Sequence, residues 1–172
     1  DTLNGGDGDD WIAGGGDGDA IGGDAGHDTV NGEGGNDWIW GGWGWDTLNG
    51  NEGNDWLFGD GNSDSLGGGA GNDTLVGGRS ADWMWGGTES DTFVVRAADL
   101  EAGVVDTIMD MQELGAAGQD RVQFEGLRYN QVNWYNQGNS AVIQIVLDTG
   151  GSAYVEIRNF SLAQLHDQYV FI

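Results

Sequence analysis

The sequence predicts an all-β chain: two short-stranded parallel sheets wound together at 18 residues per coil, followed by a small β-rich capping region. Three observations predict it. A nine-residue period runs from Gly5 to Val94 without an insertion. Aspartate stands at the sixth position of all ten repeats. An apolar residue stands at the eighth position of all ten, from Ile12 to Phe93.

Each repeat reads as a short strand and a turn. Positions seven to nine alternate outward, inward and outward, so one side chain per strand faces the core. The six residues before them carry glycines that tolerate positive φ, and their carbonyls are expected to be free of any sheet. One strand of this kind cannot bury its own face, so successive strands must stack. Two repeats close a coil. Odd and even repeats therefore build separate parallel sheets, with the position-eight side chains meeting between them.

Stacking brings the aspartates into register: Asp10, Asp19, Asp28, Asp37, Asp46, Asp55, Asp64, Asp73, Asp82 and Asp91. Neighbours one coil apart stand about 4.8 Å from each other. Like charges at that distance repel by about 1 kcal/mol per pair in water, and by several times more where water is thinned out. Such columns require cations. Calcium suits them, because it is hard, takes six to eight oxygens and accepts carboxylates and carbonyls together. Zinc would ask for His or Cys, and the repeats supply only His27.

The pattern GGxGxDxUx, with U apolar, resembles the calcium-binding nonapeptide repeat of the RTX (repeats-in-toxin) family. The resemblance covers residues 1–94 and implies a parallel β-roll. It further implies calcium between the turns of repeats n and n+2. That pairs Asp10 with Asp28, Asp19 with Asp37, and so on to Asp73 with Asp91, for about eight ions at most. The sequence departs from the pattern at Arg79-Ser80 and Thr88-Glu89, in turn positions three and four. Asp17 and Asn62 replace glycine at position four.

Composition agrees with a cation binder. There are 29 acidic residues against 5 basic ones, a net charge of −24. That balance argues against nucleic acid and anionic membrane, both of which need a cationic face. Eight calcium ions would reduce the net charge to about −8. Glycine reaches 35 residues without proline or a G-X-Y period, which excludes collagen. Without cysteine, no disulfide framework exists. No apolar run has the length of a membrane span, and no signal-peptide pattern opens the chain. The sequence starts in mid-pattern at DTLNGG, so an upstream domain of the same protein is expected.

Residues 95–172 are expected to cap the open end of the roll, because an uncapped end exposes its core and strand edges. Residues 141–147 (AVIQIVL) and 153–158 (AYVEIR) read as strands joined by a turn at DTGG. Ser161 is placed to cap a helical turn, SLAQLHDQ, before a final apolar YVFI. Asp106-Thr-Ile-Met-Asp and Gln119-Asp-Arg-Val-Gln-Phe resemble the region after the repeats in RTX proteins, and the resemblance implies a type I secretion signal at the C-terminus. With the repeats it implies a secreted, extracellular bacterial protein that folds on meeting calcium.

The stretch NDWIWGGWGW places Trp38, Trp40, Trp43 and Trp45 within eight residues. Trp38 and Trp40 point outward from one strand, and Trp56 and Phe58 from the strand one coil on. Together these form a candidate aromatic plate, with Trp43 and Trp45 at its rim. A flat plate suits stacking on the pyranose rings of a neutral polysaccharide such as cellulose, chitin or xylan. The alternatives are a contact surface for the upstream domain or a second subunit, or mutual support of neighbouring strands. Outward Thr29/Asn31 and Thr47/Asn49 form a small array of the kind that binds ice, the least favoured reading. An enzyme is not expected, since His27 and His166 have no nucleophile beside them in the sequence.

Overall fold

The computed structural model describes residues 1–111, 120–127, 131–148 and 150–158, and the strand backbone at 169–171. Its strands are β1 (Thr2–Asp7), β2 (Trp11–Gly15), β3 (Ala20–Ala25), β4 (Thr29–Gly34), β5 (Trp38–Trp43), β6 (Thr47–Glu52), β7 (Trp56–Gly61), β8 (Ser65–Ala70) and β9 (Thr74–Val76). They continue with β10 (Trp83–Thr88), β11 (Thr92–Arg96), β12 (Val105–Ile108), β13 (Arg121–Glu125), β14 (Val132–Gln137), β15 (Ser140–Val146), β16 (Ser152–Ile157) and β17 (Tyr169–Phe171). Odd strands β1 to β13, then β17, form an eight-stranded sheet in that order. Even strands β2 to β12, followed by β16, β15 and β14, form a nine-stranded sheet. Through the repeats every ladder is parallel with an offset of 18 residues, as in Ile21↔Ile39 and Leu48↔Leu66. This is a parallel β-roll.

The position-eight residues are the core. Ile21, Val30, Ile39, Leu48, Leu57, Leu66 and Leu75 are fully buried between the sheets, and Phe93 and Met84 continue the series. The core is one apolar side chain deep per strand, so it is thin. Its continuity comes from stacking, in which each residue packs on those a coil above and below.

Apart from β9, the strands of the repeats are longer than the three residues expected. In β5 the pairing continues beyond Trp40 through Gly42↔Asp60 and Trp43↔Gly61, so a strand spans positions seven to nine and the next one to three. Position-three carbonyls are consequently not free. Trp43 O accepts from Gly26 N–H at 2.9 Å, and Ala70 O from Gly53 N–H at 2.8 Å. Only positions four to six remain as turn.

This turn needs left-handed residues at positions two and four in every repeat. Glycine fills most of them, but Ser80 (φ 73°) and Glu89 (φ 75°) adopt the same conformation, so the coil path survives where the sequence leaves the pattern. Asp17 and Asn62 do likewise at φ 72° and 76°.

The period ends at Val94, but the sheets do not. β12 pairs in parallel with β10, β16 with β12, and β13 with β11. The expected strands around 141–147 and 153–158 are β15 and β16, an antiparallel pair with Ile145 opposite Ala153. β17 in the final apolar stretch lies parallel to β13. Ile143, Ile145, Val155 and Ile157 join the same apolar cluster as the repeats. Phe124 meets Trp134 edge-on at 5.9 Å, linking β13 of one sheet to β14 of the other. The helical turn placed at SLAQLHDQ, with Ser161 and His166, lies outside the described residues, as does Gln119.

Candidate metal centre

Positions six, eight and one of successive residues all face inward, and each does something different there. Position eight fills the core. Position six puts an aspartate inside the turn that carries the chain from one sheet to the other. Position one supplies a glycine directly across from it. Since two turns close each coil, the aspartates form two columns, one along each edge of the roll.

In both columns Oδ1 accepts the backbone N–H of the aspartate one coil earlier. Asp10, Asp28, Asp46 and Asp64 donate to Asp28, Asp46, Asp64 and Asp82 at 2.8–2.9 Å. Along the other edge Asp19, Asp37, Asp55 and Asp73 donate to Asp37, Asp55, Asp73 and Asp91 at the same distances. Oδ2 is different. In all ten repeats it is buried without a hydrogen-bond partner. A buried carboxylate oxygen left unmatched is costly unless something charged meets it.

The orphaned oxygens share their surroundings. A Cβ added to Gly5 would lie 2.6 Å from Asp10 Oδ2 and 2.9 Å from the carbonyl of Gly23, the position-one glycine one coil on. At Gly41 the corresponding approaches are 2.6 Å from Asp46 Oδ2 and 2.9 Å from Gly59 O. The same two oxygens converge at each position-one glycine from Gly5 to Gly68. At Gly77 and Gly86 the three nearest atoms all belong to Asp82 and Asp91. Among the described residues no three His, Cys, Asp or Glu side chains converge on one point. A cation held here draws its remaining oxygens from the turn backbone, which is the donor set calcium accepts and zinc does not.

The electrostatics agree. Burial, reinforced by the aspartate a coil away, pushes Asp55 up to about 6, Asp73 to about 7 and Asp64 to about 8. Asp82 rises to about 9 through burial and then the charge of Asp106. Without a cation Asp64, Asp73 and Asp82 hold protons near neutral pH.

Two aspartates outside the repeats extend the columns. Asp82 N–H donates to Asp106 Oδ1 at 3.2 Å, 24 residues on, and Asp91 N–H to Asp120 Oδ1 at 2.9 Å, 29 residues on. Both are buried. A signal for them is in the sequence: Asp106-Thr107-Ile108 and Asp120-Arg121-Val122 repeat the order aspartate, outward residue, apolar residue. Asp110 takes a position where the repeats carry glycine, and its carboxylate accepts the N–H groups of Gly86 and Gly87 at 2.9 and 3.0 Å.

The aromatic residues divide between the two sheets. Trp38 and Trp56 stack on the eight-stranded sheet at 5.1 Å between centroids and 4° between planes. Trp40 and Phe58 do the same at 5.7 Å and 7°. Parallel indoles this close overlap face on face, so they form a ladder up the coil axis rather than a plate of coplanar faces. Arg96 caps the ladder, 5.6 Å from the Phe58 centroid, and pairs with Glu125 at 3.0 Å. Trp43 stands at the edge beside Asp60, Gly61 and Arg79. Trp45 does not share this rim. It rests on His27, 5.3 Å away, and borders a cleft with Trp83 of the nine-stranded sheet. His27 Nδ1 accepts the Trp45 backbone N–H at 2.9 Å.

The family model of the RTX calcium-binding nonapeptide repeat (4 copies) matches residues 1–30, 22–57 and 58–93, more than half of the chain. The chain belongs to this family of calcium-binding repeat proteins. Among solved structures it is similar to the extracellular lipase LipA from Serratia marcescens, at 19% identity and a TM-score of 0.48. That match covers 99% of this chain and 40% of the lipase chain. No curated protein matches.

Two predictions follow from the oxygen cradle. Gly41→Ala forces a Cβ against Asp46 Oδ2 and Gly59 O, and calorimetry should find fewer calcium ions bound, whereas Gly16→Ala, which meets nothing within 4 Å, should bind as the parent does. Equal binding by both variants would remove the cradle from the account. The second concerns protons. The raised carboxyls hold protons that the unfolded chain has lost above about pH 4, so the metal-free fold loses stability as pH rises from there towards 9. Calcium displaces those protons. Binding at pH 7 should therefore release protons in a pH-stat titration, and affinity should rise from pH 5 to 9. A proton-silent, pH-flat titration would contradict it.

Proposed function

We propose that the chain is a non-catalytic module of a secreted bacterial protein that folds when it meets extracellular calcium. The observation that carries the reading is the series of ten buried, partnerless Oδ2 atoms, which a cation can satisfy and water cannot reach. The thin core supports it, because one apolar side chain per strand leaves little to oppose the repulsion of two carboxylate columns. Binding free energy then becomes folding free energy. In low cytosolic calcium the chain stays extended and fit for export, and outside the cell it winds up. The eight position-one glycines from Gly5 to Gly68 at which both oxygens converge support about eight principal ions.

Residues 95–172 serve as the end cap and carry the export signal, with an upstream domain of the same protein as cargo. The stacked ladder of Trp38, Trp40, Trp56 and Phe58 acts as a brace between adjacent coils. Its faces are turned on one another, which argues against a sugar-binding plate on this sheet.

Far-ultraviolet circular dichroism of the chain during a calcium titration tests the reading. A disordered spectrum in EDTA should convert cooperatively to a β spectrum as calcium is added, and magnesium at the same concentration should fail to replace it. A β spectrum that persists in EDTA at pH 7 would refute calcium-driven folding.

A further inference from the structure

The geometry points to a binding site for neutral carbohydrate in the cleft between Trp45 and Trp83, on the opposite side of the roll from the aromatic ladder. The cleft has a volume of about 470 Å³ and is lined by Trp45, Thr47, Ser63, Ser65 and Trp83, with Asp46 and Asp64 at its base. Its lining combines two indoles with three hydroxyls. That combination follows from the repeat. Trp45 holds position five, which is otherwise small or polar in the other nine repeats, except for His27 beneath it. Trp83 holds position seven two coils further on. The coil between them offers only Ser63 and Ser65, so nothing fills the gap.

Both indoles are well exposed, Trp45 at 66% and Trp83 at 44%, although neither is needed by the core. Trp45 is also held in place. One side of it rests on His27, and its backbone N–H is bound to the same imidazole. A wall fixed before the ligand arrives loses little freedom on binding.

Size and charge choose the ligand. β6, which follows Trp45, and β10, which begins with Trp83, are two ladder steps apart, about 9.6 Å. A cleft of this volume admits a pyranose ring, with its apolar face to an indole and its hydroxyls to Thr47, Ser63 and Ser65. The two carboxylates at the base present no free charge to the cleft. Asp46 and Asp64 are buried, with Oδ1 bonded to backbone and Oδ2 turned into the calcium cradles. A cationic ligand would have no partner there. The net charge of −24 opposes an anionic one. A neutral sugar remains. Because the base belongs to two calcium-bearing turns, the cleft exists only in the folded roll, and sugar binding should depend on calcium.

The test is affinity electrophoresis of the chain in calcium through gels containing soluble mixed-linkage β-glucan, glucomannan or xylan, with hyaluronan as the polyanion. Circular dichroism monitors folding separately, so a failure to fold is distinguished from a failure to bind. At least one neutral polysaccharide should retard the protein. Trp45→Ala and Trp83→Ala should each weaken that retardation about tenfold or more, whereas Trp38→Ala on the ladder should not. Ser65→Tyr, which fills the cleft and keeps both indoles, should also abolish it and covers the case in which a tryptophan variant misfolds. A ligand-induced change in tryptophan emission should accompany binding in the parent chain. The proposal is overturned if the folded protein passes all three neutral gels unretarded. Retardation by hyaluronan alone, or retardation unchanged in Ser65→Tyr, overturns it equally.

Discussion

Everything in this protein hangs on how one carboxylate is used at position six. One oxygen accepts a backbone N–H from the coil before, which locks the register at 18 residues. The other lies against a glycine and the carbonyl of the coil after, with no proton donor in reach. The first bond makes the coil regular, and the second leaves it incomplete. A Cβ at position one would occupy the place of the missing partner, which is why all ten repeats have glycine there. The requirement for a cation is thus part of the backbone geometry itself.

The thin core makes that requirement decisive. Leu48, Leu57, Leu66 and their neighbours are fully buried, but they are single residues separated by turns. Like charges stacked in a poorly solvated turn oppose folding at every coil. Without a cation the coil relieves that opposition only by holding protons, as the raised Asp64 and Asp82 indicate, and calcium takes the place of those protons. On the proposed reading, stability then follows the supply of calcium.

Much of this was legible in the sequence, because a period of nine with fixed aspartate, glycine and apolar positions leaves one way to stack. The length of the strands was less legible. Residues at positions two and three look like turn residues, yet they pair across coils, as Gly42 does with Asp60 and Trp43 with Gly61. Asp106 and Asp120 were hidden by their spacing: gaps of 24 and 29 residues break the count while the ladders of β12 and β13 continue. The tryptophans were placed on the correct strands, but rotamers decide whether two indoles lie side by side or face to face. Sequence does not encode that locally. Trp45 shows the same limit, since a turn residue between two sheets can lean to either side, and contact with His27 draws it to the nine-stranded one.

Anomalous diffraction from crystals grown in calcium, collected at a long wavelength, tests the central claim most directly. The account predicts density peaks in two rows along the edges of the roll, each bonded to a position-six Oδ2 and to turn carbonyls beside a position-one glycine. Peaks confined to exposed carboxylates such as Asp24 and Glu52, or a fully wound roll with no peak in either row, would contradict it.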